Sequence, residues 1–388
     1  MTSRPIRIIA LAGGSTGGHV VPLGSLARSI ITQSIAGTLV RFGEYNSLEE
    51  RESNIINNIY STYHNSNQKL DHAIHFVPIV SGKFRRHPTF KELCLNIIDL
   101  FKFIRGVALS VRKLKQYQVD HVFSKGGFVS LPVVIAAWIV RIPITVHESD
   151  TKPGLSTRIA SWFATTVFTG FPNVLPRAKV VGQILSDELI PDQNDLKHYN
   201  NNYTTCIINC GSLGSHSVHK AIIEIIKSRI GGDDNLKRHR IILLGKLNQG
   251  FKSSYEELIQ QGHSIDLHEY VDQQTMKKLY IQSDLSICRG GTTTLVEQQL
   301  FGIKQIIIPI PRTHDQLTNA HHFVSAYGDI LIKQTNTNRK QILDTTLKYY
   351  HDYHKQPLDI KTIYNTINQG KQHIIESLRN HGKQYHKN

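Results

Sequence analysis

Short runs dense in Ile, Val and Leu alternate along this chain with longer segments whose apolar residues recur at helical spacing. In the first half the short runs fall at residues 6–12, 39–42, 74–77, 119–124 and 144–147, and the helical segments at 22–33, 89–116 and 130–140. Runs of this kind read as strands buried on both faces, and their alternation with helices predicts a parallel sheet covered on both sides. A second set begins at Thr204, with strands predicted at 205–209, 241–244, 285–288 and 305–309. Between the sets, residues 191–202 include Asp192, Asn194, Asp195 and three consecutive Asn, which have little to bury. The expected fold is therefore α/β, with two doubly wound parallel-sheet domains. We place the first at residues 1–182, a hinge at 183–202, the second at 203–365, and a basic, helical tail at 366–388.

Composition agrees with two cores, since 388 residues with 40% apolar content exceed what one core usually holds. Lys and Arg number 45 against 30 Asp and Glu, a formal charge of +15, which favours phosphate-bearing partners. Nucleic acid, anionic lipid and sugar nucleotides all fit that charge, but no nucleic-acid module is recognisable and none is expected. Cys94, Cys206, Cys210 and Cys288 are scattered and form no CxxC pair, so neither a disulfide framework nor a zinc site is expected, and a reducing cytoplasm is the simplest compartment. The longest apolar run, residues 131–140, contains Pro132 and is shorter than the roughly 20 residues a bilayer requires. Any membrane contact is then peripheral. Residues 81–87 (SGKFRRH) and the segment that follows mix bases with apolar residues, among them Lys102, Arg105, Arg112, Phe101, Phe103 and Ile104. That mixture fits either docking on anionic lipid or an ordinary solvated helix face.

Each half opens with a strand, a glycine-rich turn and a helix. In the first, Gly13, Gly14, Gly17 and Gly18 surround Ser15 and Thr16. Glycines let backbone approach a bound group, and N–H groups at a helix start favour anions, although a tight turn with no ligand has the same pattern. His19 follows at once, where a helix N-terminus keeps an imidazole neutral and fit to act as a base. Lys125, Gly126 and Gly127 end another strand, and His147, Glu148, Ser149 and Asp150 end the next. Parallel strand ends converge, so His19, Gly126, Gly127, Glu148 and Asp150 could line one mouth; alternatively, Glu148 and Asp150 cap the helix beginning near Gly154.

In the second half Gly211, Ser212 and Gly214 repeat the anion-loop logic. Arg289, Gly290, Gly291, Thr292, Thr293 and Thr294 then sit at a strand end, with Glu297 one or two turns into the next helix. A carboxylate there can accept two ribose hydroxyls or simply complement the early helix. Asp315, Gln316 and Asn319 open a further helix with groups that suit sugar hydroxyls or caps alike.

Taken in order, GGSTGGHVVP, SGKFRR, FSKGGFVSLPVVIAA, HESDTKPGLSTRIA, CGSLG, RGGTTTLVE and the 315–319 segment resemble the MurG family of peptidoglycan glycosyltransferases over nearly the whole chain. The resemblance implies a GT-B fold, two Rossmann-like domains with an interdomain cleft, working without a metal ion or other cofactor. It implies transfer of N-acetylglucosamine (GlcNAc) from UDP-GlcNAc to undecaprenyl-pyrophosphoryl-N-acetylmuramoyl (MurNAc)-pentapeptide, with inversion, at the cytoplasmic side of a bacterial inner membrane. By the same resemblance, the loop of Gly14, Thr16, Gly17 and Gly18 approaches the acceptor pyrophosphate and His19 is the base. Ser212 binds donor phosphate, Val271 contacts uracil through its backbone, Glu297 takes the ribose hydroxyls, and Gln316 with Asp315 holds the sugar. Arg289 helps stabilise the departing diphosphate, while Asp150 stands where many members carry Asn. The chain departs from the family at Gly182, Gln183, Ile184, Leu185 and Ser186, where members usually read G-x-P-[IV]-R. A charged hydrogen bond contributes about 1.5–3 kcal/mol, so Ser186 in place of Arg is expected to weaken donor binding unless Arg177, Lys179 or Arg289 compensates. Two other readings stay open: a GT-B transferase with another lipid or natural-product acceptor, and a non-catalytic relative that binds sugar nucleotide or membrane.

Overall fold

The computed structural model describes residues 8–14, 17–64, 74–82, 90–192, 204–210, 215–228, 239–313, 315–334, 345, 348 and 369–384. The chain divides into two units, Met1–Leu185 with Asn368–Asn388, and Ser186–Ile367. In chain order the first unit runs β1 (Ile8–Ala12), α1 (Gly17–Thr32), β2 (Thr38–Gly43), α2 (Leu48–His64), β3 (Ile74–Pro78), α3 (Phe90–Gln116), β4 (His121–Ser124), α4 (Ser130–Ile139), β5 (Ile144–Glu148), α5 (Leu155–Phe163), β6 (Thr166–Thr169) and β7 (Lys179–Val180). The second unit begins with a short 3-10 turn, Asp187–Leu189, which packs on a helix of its own unit. It continues as β8 (Thr204–Asn209), α6 (His216–Ser228), β9 (His239–Leu244), α7 (Gln249–Gln260), β10 (Ser264–His268), α8 (Gln273–Ile281), β11 (Leu285–Cys288), α9 (Thr292–Leu300), β12 (Lys304–Ile307), α10 (Gln316–Tyr327) and β13 (Ile330–Leu331). The last helix, α11 (Gln369–Gln384), belongs to the first unit.

Both sheets are parallel, with orders β3-β2-β1-β4-β5-β6-β7 and β10-β9-β8-β11-β12-β13. The expected α/β doubly wound class is therefore what the chain adopts. Strand order reverses between β1 and β4, and between β8 and β11, and ligands in such sheets bind outside the carboxyl ends at that reversal. The register brings the ends level: Ala12 pairs with Ser124, and Asn209 with Cys288.

The apolar runs are continuous because both faces of each sheet are covered. On β1, Ile9 and Leu11 join Leu23, Leu26 and Ile30 of α1, whereas Ala10 and Ala12 join Val133, Val134 and Ala137 of α4. Ile374, Ile375 and Leu378 of α11 complete the first of these clusters, each burial contributing about 1.5–3 kcal/mol. Lys371, also on α11, is buried and donates to the Ser25 hydroxyl and the Leu185 carbonyl at 3.3 and 3.2 Å. In the second unit Cys206, Ile208, Leu285 and Ile287 pack with Val218, Ile222, Tyr255 and Leu258.

Several expectations need correction. α1 starts at Gly17, not at residue 22, and carries Pro22 inside it; two glycines and a proline argue locally against helix, but the packing of Val20, Leu23 and Leu26 overrides them. α2, β6, β7, β10 and β13 were not predicted. Over residues 48–58, whose side chains are described, α2 buries a narrow stripe of Glu49, Ser53 and Ile56, and β10 has the mixed polarity of an edge strand.

Candidate functional site

In the first unit two glycine turns meet at the β1/β4 reversal. Gly126 and Gly127 have φ of 94° and 81°, and a Cβ on Gly127 would lie 2.7 Å from the Gly14 carbonyl oxygen. A side chain is excluded there by both backbone conformation and the crossing of the two loops. Gly14 is backed by the carboxylate of Glu49, whereas Gly17, at the exposed start of α1, faces open space. The N–H groups of that first turn have no intrahelical acceptor, which suits an anion. Thr16 lies outside the described residues; Gly18 is exposed and His19 half-buried.

His19 Nε2 lies 3.7 Å from the point a Cβ on Gly126 would occupy, and the Thr157 hydroxyl lies 2.6 Å from that same point. Thr157, on α5, had no local signal in the sequence. Lys125 does not reach open space: it is 2% exposed and donates to the Ser149 hydroxyl under the loop. Burial lowers its pKa to about 8, against the opposing pull of Glu148 and Asp150. Glu148 binds its own loop, accepting the N–H of Asp150 at 3.1 Å and of Gly154 at 3.2 Å, and it takes a hydrogen bond from Thr157. Of the two readings open for Glu148, fastening the turn before α5 is the one its geometry displays. Burial, followed by the charge of Asp150, pushes its pKa up to about 7. Asp150 is half-buried on the same loop. His147 bonds through Nε2 to the Gly182 carbonyl at 2.9 Å, and Gln183 donates to the Ser149 carbonyl at 2.8 Å.

In the second unit the equivalent reversal gathers the end of β8, the turn after β11 and the start of α10. Ser212, with Gly211 and Gly214, lies outside the described residues. Gly291 is the N-cap of α9 without a side-chain capping bond, and a Cβ on it would meet open space. Thr292 is buried and Thr293 half-buried. Glu297, five residues into α9, is buried and accepts from Tyr280 of α8 at 3.3 Å; desolvation pushes its pKa up to about 7, while the tyrosine donor pulls it down. Tyr280 was also missed from sequence.

Gln316 uses its amide oxygen to accept the N–H of Ile310 at 2.9 Å and of Gly290 at 3.3 Å. Gly290 admits no side chain, because a Cβ would come within 2.3 Å of the Gln316 carbonyl. Asn319 is buried and donates to the Gly290 carbonyl at 3.0 Å, so it braces the turn. Asp315 is half-buried at the start of α10, and Val271 half-buried just before Asp272, whose carboxylate caps α8. Arg289 is half-buried and engaged: Nη1 donates to the Ile308 carbonyl at 2.8 Å and to Gln334 at 2.7 Å, and Nη2 to the Ser215 hydroxyl. Its charge thus sits beside Ser215 at the start of α6, with both terminal nitrogens bonded to protein oxygens and Nε buried without a partner. Ser186 is buried at the N-cap of the Asp187–Leu189 turn.

The chain matches the model of the glycosyltransferase family 28 N-terminal domain over residues 46–169 and of the family 28 C-terminal domain over residues 205–377. It is 30% identical, over 93% of its length and 99% of the relative's, to a UDP-N-acetylglucosamine--N-acetylmuramyl-(pentapeptide) pyrophosphoryl-undecaprenol N-acetylglucosamine transferase of Staphylococcus aureus strain bovine RF122 / ET3-1. Among solved structures, MurG of Acinetobacter baumannii superposes with a TM-score of 0.68 at 19% identity, covering 97% of this chain and 100% of that one. A putative UDP-N-acetylglucosamine 2-epimerase of Listeria monocytogenes superposes with a TM-score of 0.60 at 12% identity, covering 98% and 97%. At such identities the structural likenesses establish the fold alone, which different activities share.

Proposed function

The chain belongs to glycosyltransferase family 28 and has the GT-B fold, and from that premise we propose that it transfers GlcNAc from UDP-GlcNAc to polyprenyl-pyrophosphoryl-MurNAc-pentapeptide. The observation that carries the reading is the 30% identity to a transferase of that printed activity along nearly all of both chains. The geometry supports it through two anion-ready turns, one at each strand-order reversal, with open backbone at Gly17 and Gly291. The first unit receives the acceptor, its pyrophosphate against Gly14, Thr16, Gly17 and Gly18 beside His19. The second holds the donor, with phosphate at Ser212 and the start of α9, uracil at Val271, ribose on Glu297 and the sugar on Gln316 and Asp315. Arg289 acts by its charge, with its terminal nitrogens held by Ser215, Ile308 and Gln334. UDP release from UDP-GlcNAc, measured with and without a lipid-linked MurNAc-pentapeptide, is expected to depend on the acceptor. Equal release in both, or faster turnover of an unrelated acceptor, would refute this assignment.

The acceptor is lipid-linked, so we place the protein peripherally on the anionic cytoplasmic face of the membrane. Among the described residues no helix is long and apolar enough to cross a membrane. On α3, Ile97, Phe101 and Ile104 are exposed along one helical face, Phe101 to 68%, and Arg105 is exposed beside them. Trp138 of α4 and Trp162 of α5 are exposed as well, the latter also to 68%, and α4 packs against both α3 and α5. Such a surface combines apolar insertion with attraction of bases to anionic lipid. Co-sedimentation with phosphatidylglycerol-containing vesicles is expected to fall at least tenfold in the Phe101→Asp, Ile104→Asp double variant, with UDP-GlcNAc binding unchanged. Undiminished sedimentation would remove α3 from the membrane surface.

A further inference from the structure

Thr157 lies close to both the glycine turn that carries His19's neighbours and the carboxylate of Glu148. It is buried on α5, at the point where the loop after β5 returns toward the glycine turn after β4. Its hydroxyl oxygen and His19 Nε2 both lie near the point a Cβ on Gly126 would occupy, at 2.6 and 3.7 Å from it. The hydroxyl also bonds to Glu148, whose two oxygens are fixed by the N–H groups of Asp150 and Gly154. A hydroxyl that gives its proton to a carboxylate turns its lone pairs outward, and the ring nitrogen beside it then serves best as an N–H donor.

We propose that Thr157 is a positioning residue for His19: its hydroxyl, anchored on Glu148, accepts the Nε2 proton and so fixes the tautomer that leaves Nδ1 as the base. In the transfer, which rests on the function proposed above, the acceptor O–H bond breaks and its proton goes to Nδ1. The oxygen bonds to the anomeric carbon, and the bond from that carbon to the diphosphate breaks with its electron pair leaving on UDP. The imidazolium so formed is stabilised through Thr157 by Glu148, the logic by which a carboxylate orients a catalytic histidine through a hydrogen bond. Glu148 is itself faced by Asp150 and Lys125, and burial holds it near pH 7, so the Thr157 donor helps keep it ionised.

Three variants test this. Thr157→Val, isosteric but without the hydroxyl, is expected to lower kcat at least tenfold with both KM values within about twofold of the wild type. Thr157→Ser is expected to keep kcat within about threefold, and Thr157→Val in a His19→Ala background to have no further effect. A Val variant as active as the wild type, a Ser variant as impaired as the Val variant, or additive losses in the double variant would each overturn the assignment. Ring 15N shifts of His19, identified by their loss in His19→Gln, need no activity. They are expected to report the Nε2–H tautomer in the wild type and Thr157→Ser, and a mixture in Thr157→Val. Identical shifts in the wild type and Thr157→Val would sink the proposal. If the wild type transferred no sugar, the function proposed above would fall and the 15N shifts would still decide the role of Thr157.

Discussion

His19→Ala is expected to reduce kcat for GlcNAc transfer by about 10²–10⁴-fold, the range a positioned general base contributes, while KM for either substrate changes little. The fold should survive, because His19 is only half-buried in the first turn of α1, where alanine is the better helix former. Circular dichroism and a thermal melt would establish that the variant is folded, and steady-state kinetics would give the loss. Wild-type kcat in a folded His19→Ala protein would remove the histidine as base and return the problem to the other groups around Gly126.

The second large effect concerns the donor. Glu297→Ala is expected to raise KM for UDP-GlcNAc by about 10²-fold, since it removes an acceptor for two ribose hydroxyls and hydrogen bonds to a charged group contribute about 1.5–3 kcal/mol each. Burial has already pushed this carboxyl up to about 7, and donor binding uses its ionised form. KM for the donor should therefore rise as pH falls through 7, approaching tenfold per unit below it, and Glu297→Gln should flatten that dependence. For folding the sign is opposite. A carboxyl whose pKa is raised in the folded state contributes stability that is present below its unfolded value and is lost as pH rises through about 7. Tighter donor binding and lower stability of the unliganded protein should thus appear together on raising pH, and calorimetry with and without UDP would separate them. A pH-independent donor KM in the wild type would mean that Glu297 does not bind the ribose in its ionised form.

Much of this architecture was legible in the chain. Residues 8–12 are apolar without interruption, and only a sheet covered on both faces buries such a run; β1, with Ile9 and Leu11 on one side and Ala10 and Ala12 on the other, is the case in point. The glycine turns, His19 at a helix start and Glu297 after the threonines were equally local, because backbone approach and helix-end electrostatics depend on neighbours in sequence. Where a pattern was weak, local reading failed: over residues 48–58 α2 buries Ile56 alone of its apolar side chains, and α1 begins before the proline at which the sequence places its start.

Which side chains meet was another matter. The sequence could not tell that Lys125 lies under its loop on Ser149, that Arg289 is occupied by Ser215, Ile308 and Gln334, or that Gln316 ties down Gly290 and Ile310. Nor could it bring Thr157 beside His19. Apart from Ile310 and Gln316, those partners come from different β–α units, and strand order decides which units are neighbours. Local patterning fixed the type of each element and the chemistry at its end, because propensity, periodicity and helix-end electrostatics act over a few residues. The pairing of β1 with β4 and of β8 with β11, a choice made by the packing of whole layers, decided what that chemistry faces.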